Sequence, residues 1–175
     1  MCPWLRFGII AAILFASRAG GQTPDEYQVK AAFIVKFAGF VEWPPAAFKG
    51  PADPLVICVM GHSPFGHQLE SLVEGKVVAG RAFALRPIAD VRDAIACHIL
   101  FISSSERLRF RSILDTLKST SVLLIGDTDD FIAEGGVINL RLENGKVRIE
   151  IDARAAKARN LRISSRLLDL AQGPR

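Results

Sequence analysis

Histidine, tryptophan and tyrosine are scarce: the 175 residues hold three histidines, two tryptophans and one tyrosine. There is no HExxH, GxSxG, P-loop or CxxC, so the short signatures of zinc hydrolases, serine esterases, nucleotide phosphotransferases and thiol oxidoreductases are missing. His62 and His67 stand five apart, off the i, i+4 spacing of a helical metal pair, and His98 sits in an apolar run that suits a hydrogen-bonded core residue. Ser63 beside His62 or His67 could be drawn as nucleophile and base of a hydrolase, but the third group that orients such a pair is lacking. No catalytic residue, metal ligand or cofactor is assigned. Basic residues form no stripe interleaved with aromatics, which argues against nucleic acid as a partner. No apolar run reaches the roughly 20 residues that cross a bilayer.

What the chain does have begins with an export signal. Arg6 precedes the ten-residue uncharged run Phe7–Ala16, and Ser17-Arg18-Ala19 ends in small residues where a signal peptidase reads. Residues 1–21 are therefore read as a signal peptide cleaved after Ala19 or Gly21, and residues 22–175 as one domain that does not span the membrane. Removing Arg6 and Arg18 lowers Lys+Arg from 22 to 20 against 18 acids, so the net charge falls from +4 to +2. Of three cysteines, Cys58 and Cys97 remain, an even number in an exported chain. They either form a disulfide across neighbouring strands or stay as two buried thiols.

Along the chain the elements alternate. Pro24-Asp25-Glu26 opens a helix, with acids at the positive end of its dipole, that runs to about Val41. Between Ala31 and Val41 only Lys36 is charged, so the helix is apolar on nearly every side and must be enclosed by its own domain or by another chain. Phe33, Phe37 and Phe40, followed by Trp43, are either core or a partner and dimer surface. Leu55–Met60, Cys97–Ile102 and Val122–Ile125 are continuous apolar runs, as expected of strands covered on both faces. A helix is expected from about Pro64 to Val73, a hairpin-like stretch between Gly75 and Gly80, a half-exposed strand over Arg81–Leu85 and a short helix at Asp90–Ala94. Ser103 and Glu106 have capping-box spacing before the stripe Phe110, Ile113, Leu114 and Leu117. Asn144-Gly145 marks a type I′ turn between Val137–Leu142 and Val147–Ile151. Asp152 caps an Ala-rich helix ending at Asn160, and Ile163, Leu167 and Leu170 mark a last short helix. The pattern is that of a three-layer α/β/α sandwich with a mixed, mostly parallel sheet and a C-terminal β-hairpin.

Open sheets of this kind bind ligands outside the carboxyl ends of their strands. The loops expected there hold Gly61, His62, Ser63, Phe65 and Gly66, then Ser103 and Ser104, then Gly126 and Asp127. Free amides in such loops suit a polar or anionic group; Gly and Ser also make turns and caps with no ligand present. A small-ligand sensor built on these loops is thus one functional reading.

A second comes from resemblance. Tyr27 to Pro44 (YQVKAAFIVKFAGFVEWP), Gly61 to Gly66 (GHSPFG), Cys97 to Ile102 followed by serines, Gly126-Asp127 with Phe131, Gly135 to Asn139 (GGVIN) and Ile163 to Ala171 (ISSRLLDLA) follow one another as in the YfiR/HmsC-like proteins, which the chain resembles over nearly all its length after the signal. The resemblance implies a periplasmic, commonly dimeric protein that restrains an inner-membrane diguanylate cyclase by touching its periplasmic sensor segment. Such restraint lowers cyclic-di-GMP and limits biofilm formation; a sensor kinase is a related kind of target. It implies a Cys58–Cys97 bridge. Some relatives carry a second cysteine pair that is absent here, so control through two bridges is not expected. Asp152 and Asn160 replace the usual Asn and Gly near the last helices, and both keep the capping and left-handed roles those positions need.

Overall fold

The computed structural model describes residues 24–172. The expected signal peptide and its cleavage site lie outside the described residues. The strands are β1 (Val41–Glu42), β2 (Leu55–Met60), β3 (Val77–Val78), β4 (Arg81–Ile88), β5 (Ile99–Ile102), β6 (Leu123–Gly126), β7 (Ile138–Glu143), β8 (Lys146–Ile151) and β9 (Arg162–Ile163). The α-helices are α1 (Pro24–Phe37), α2 (Gln68–Val73), α3 (Phe110–Leu117), α4 (Ala153–Ala158) and α5 (Ser165–Gln172), with 3₁₀ segments at Pro45–Ala47, Val91–Ala96 and Ser104–Arg109.

Seven strands form the main sheet in the order β3-β4-β2-β5-β6-β7-β8. The four pairings from β4 to β7 are parallel, and β3 and β8 join the two edges antiparallel. The central strands β2, β5 and β6 are buried along their whole length, as their unbroken apolar runs require. Right-handed crossovers put α2 on one face, with α1 packed against it, and the Val91–Ala96 segment and α3 on the other. This is the mixed α/β sandwich with a terminal hairpin that the sequence predicts. Asn144 (φ 51°) and Gly145 (φ 74°) make the β7–β8 turn. Asp152 accepts from the amides of Arg154 and Ala155 at the start of α4, and Asn160 (φ 58°) follows its end in the left-handed conformation.

Four local expectations need correction. The last short helix begins at Ser165, and Ile163 falls instead in β9, opposite Val41. The first helix stops at Phe37, not Val41. Gly39 and Phe40 tighten into i→i+3 bonds with Lys36 and Phe37, and Val41–Glu42 leaves to pair antiparallel with Arg162–Ile163. That small sheet had no signal, because two-residue strands show no periodicity. The second helix begins at Gln68, since residues 61–67 are spent on a loop turning through Gly61 (φ 83°) and Gly66 (φ 53°). The Ser103 cap serves a 3₁₀ segment before α3, and Glu106 bonds Arg109 instead of completing a capping box.

Candidate functional site

The aromatic stretch lies on an outer face of the α1 layer. Ala31, Ile34, Phe37 and Ala38 are buried against the domain, while Val29 and Lys36 are exposed and Ala32, Phe33 and Phe40 half-buried. Phe33 stacks on Phe37 with centroids 6.0 Å apart, but Phe37 itself is only 1% exposed. Phe37 thus supports the surface from beneath, and Phe33, Phe40 and Trp43 are the members that reach solvent. The helix is enclosed on one side by its own domain, with an apolar strip left over on the other.

The carboxyl ends of β2, β5 and β6 bring the loop residues together in two groups that meet through Tyr27. The strand order turns between β2 and β5, which is where a ligand crevice would open. Here the two loops close on each other: the His62 amide donates to Ser105 Oγ at 2.9 Å, and a Cβ on Gly61 would stand 2.5 Å from that same oxygen. Ser105 in turn bonds Ser103. Ser63 Oγ accepts from the Phe65 amide at 3.4 Å, so it shapes the turn, and both nearby histidines are exposed. Phe65 is 2% exposed, edge-on to Tyr27 and Phe101.

Asp127 belongs to the second group. Its Oδ2 accepts from Tyr27 OH at 3.0 Å and from Lys30 Nζ at 3.1 Å, and Lys30 also pairs with Glu26 at 2.5 Å. These three ionic side chains are nearly sealed from solvent. Among the described residues, buried oxygens of Glu26, Asp127, Thr128 and Asn139 find no hydrogen-bond partner. Asn139 Nδ2 donates to the Thr128 carbonyl and to Glu150, which ties this loop to the hairpin. The cluster was missed at Glu26, Tyr27 and Lys30. Its one signal is the i, i+4 spacing of Glu26 and Lys30 on an otherwise apolar helix.

The opposite, amino-terminal edge is organised by Cys97 and His98. Cys58 and Cys97 form a disulfide with Cα atoms 5.9 Å apart, joining the adjacent strands β2 and β5. His98 Nδ1 accepts from the Val56 amide at 3.0 Å, so that nitrogen carries no proton, and Nε2–H donates to the Ala47 carbonyl at 3.1 Å. Burial and the Arg81 charge oppose protonation and hold the imidazole below its ordinary pKa, partly offset by the Ala47 bond. Phe48 stacks on the ring at 4.3 Å with Arg81 over its far side, and Trp43 Nε1–H donates to the His98 carbonyl. The strap from Trp43 to Pro54 is thereby hung on one residue. Beside it opens a cleft of about 550 Å³. A second cleft, about 440 Å³, lies between β8 and α5.

Among the described residues, no group of three or more His, Cys, Asp or Glu could hold a metal, and no helix is long and apolar enough to cross a membrane. Among the described residues, the fold is a mixed α/β domain whose strands β2 and β5 are tied by the Cys58–Cys97 disulfide. The chain belongs to the YfiR/HmsC-like family, whose sequence profile matches residues 27–172. That family is one of periplasmic, regulatory, non-catalytic proteins. No curated protein matches the chain.

Proposed function

We propose that this protein acts in the periplasm, as a homodimer, to restrain an inner-membrane signalling protein, in the first instance a diguanylate cyclase, and so lowers cyclic-di-GMP and biofilm formation. The observation that carries the reading is membership of the YfiR/HmsC-like family over residues 27–172. The strip of Val29 and Phe33 supports it, being apolar surface that α1 leaves uncovered, with Phe40 and Trp43 half-buried beyond the helix end. The mechanism is differential affinity: the strip binds the partner's periplasmic segment more tightly in its inactive state, and the population shifts toward that state. Deleting the gene should raise cellular cyclic-di-GMP, and the tagged protein should draw a membrane protein with a cyclase output domain from solubilised membranes. Unchanged dinucleotide levels together with no captured cyclase or sensor kinase would end this reading.

A further inference from the structure

The cleft at the amino-terminal edge lies on the far side of the sheet from the loops where an α/β fold ordinarily takes its ligand. We propose that it is a binding site for a small organic anion: a carboxylate or phosphate ester carried on a compact apolar body. The inference does not rest on restraint of a membrane partner and stands or falls apart from it.

Size is the first argument. About 550 Å³ falls within the range of roughly 300–1,000 Å³ typical of small-molecule sites. Charge is the second. Lys49 and Arg86 line the cleft, both exposed, and neither has an ion-pair partner among the described residues. The one carboxylate in the lining, Asp53, is turned to the backbone, where its Oδ2 accepts from the Lys49 and Gly50 amides at 2.7 and 2.9 Å. His98 contributes no charge, since its Nδ1 is occupied as an acceptor. The lining therefore holds two cations against the one carboxylate, which is turned to backbone amides, and includes Ser119 and Ser121 as well. Charge-assisted bonds to an oxyanion are what such a set can make.

The apolar share of the lining gives the rest of the ligand. Ile95 is 60% exposed at the cleft, a large aliphatic side chain open to water where a ligand body would cover it. The floor is rigid, because Cys97 is held by the disulfide and His98 by both ring nitrogens, and a preorganised floor lowers the cost of binding. One wall is the Trp43–Pro54 strap, so an occupant would brace the strap against β5.

Calorimetric titration of the purified protein with benzoate, phenyl phosphate and the neutral analogue benzamide tests the proposal. Saturable binding of one or both anions is expected, with benzamide weaker by about tenfold or more. The double variant Lys49→Ala/Arg86→Ala should lose about tenfold in anion affinity with its circular dichroism and melting midpoint unchanged. In amide NMR spectra the anion should move Ala96 and residues 119–122. Absence of saturable anion binding, equal binding of benzamide, an unaffected and folded double variant, or shifts confined to β8 and α5 would each overturn it. Ile95→Asp gives a second check: it should weaken the anions too, and undiminished binding would remove the apolar half of the site.

Discussion

Lys30 is 1% exposed and lies between the carboxylates of Glu26 and Asp127, so α1 is fastened to the end of β6 by charge as well as by packing. Removing one member of a buried ionic set leaves the others uncompensated. Lys30→Met should therefore cost about 3–5 kcal/mol in urea unfolding, well beyond what its similar volume would suggest. A loss under about 1 kcal/mol would show that water reaches the cluster. His98 carries the pH dependence. Its folded-state pKa is depressed, so below the unfolded value of 6.5 the unfolded chain binds the proton more readily. Stability should hold above pH 6.5 and fall as the pH drops from there through the folded pKa. His98→Phe should flatten that slope and cost about 1–3 kcal/mol at neutral pH, because the Val56 amide is left without its acceptor. Chemical denaturation between pH 4.5 and 8 reads both effects. His98 was legible as a hydrogen-bonded core residue, but its partners were not, and Lys30 was marked only by its spacing from Glu26. A polar side chain in an apolar stretch announces that a partner exists, but the partners lie 97 and 42 positions away in sequence.

Among the elements, the central strands were the most legible. Leu55–Met60 is bounded by Pro54 and Gly61 and has no alternative period, so its limits follow from composition alone. The end of α1 was not legible, because Phe37 to Val41 is apolar throughout and hydrophobicity cannot separate a helix from the turn and strand that replace it. The aromatic series divides by depth. Phe37→Asp should unfold the domain, whereas Phe33→Ser should leave the melting midpoint within a few degrees and weaken capture of the membrane partner. The reverse order of effects, by thermal melts and pull-down, would mean that the strip is only core. The disulfide joins residues 39 apart in sequence, which on the chain-entropy model contributes about 4 kcal/mol. Intact mass should rise by two hydrogen atoms as dithiothreitol reduces the bridge to two thiols, and the reduced protein should unfold at correspondingly lower denaturant. No mass change would mean the thiols are unpaired in solution.

For the whole molecule, alternation of apolar runs with helical stripes sufficed to predict the layered sheet, because each βαβ unit announces its own crossover. The candidate site was less legible. Sequence pattern directs attention to glycine- and serine-rich loops at the strand carboxyl ends, yet there the loops satisfy one another, as His62 and Ser105 show. A cleft of about 550 Å³ lies at the other end, lined by residues drawn from the strap, β2, β4 and the approaches to β5 and β6. No local motif marks a site assembled that way.

The sheet's two margins have a consequence for how copies of the protein meet. One margin is β4, which the two-residue β3 covers only at Arg81 and Ala82, so that Phe83–Ile88, with Pro87 among them, forms the rest of that edge; the other is β8, where Lys146, Arg148 and Glu150 alternate with apolar neighbours. A strand carrying proline and a strand rich in charge are both poor templates for a further strand, since the first has one amide fewer to donate and the second brings ionic side chains along. Self-association by extending the sheet is therefore disfavoured, together with the runaway fibre growth it invites, and a dimer is expected to lay helices and side chains face to face instead.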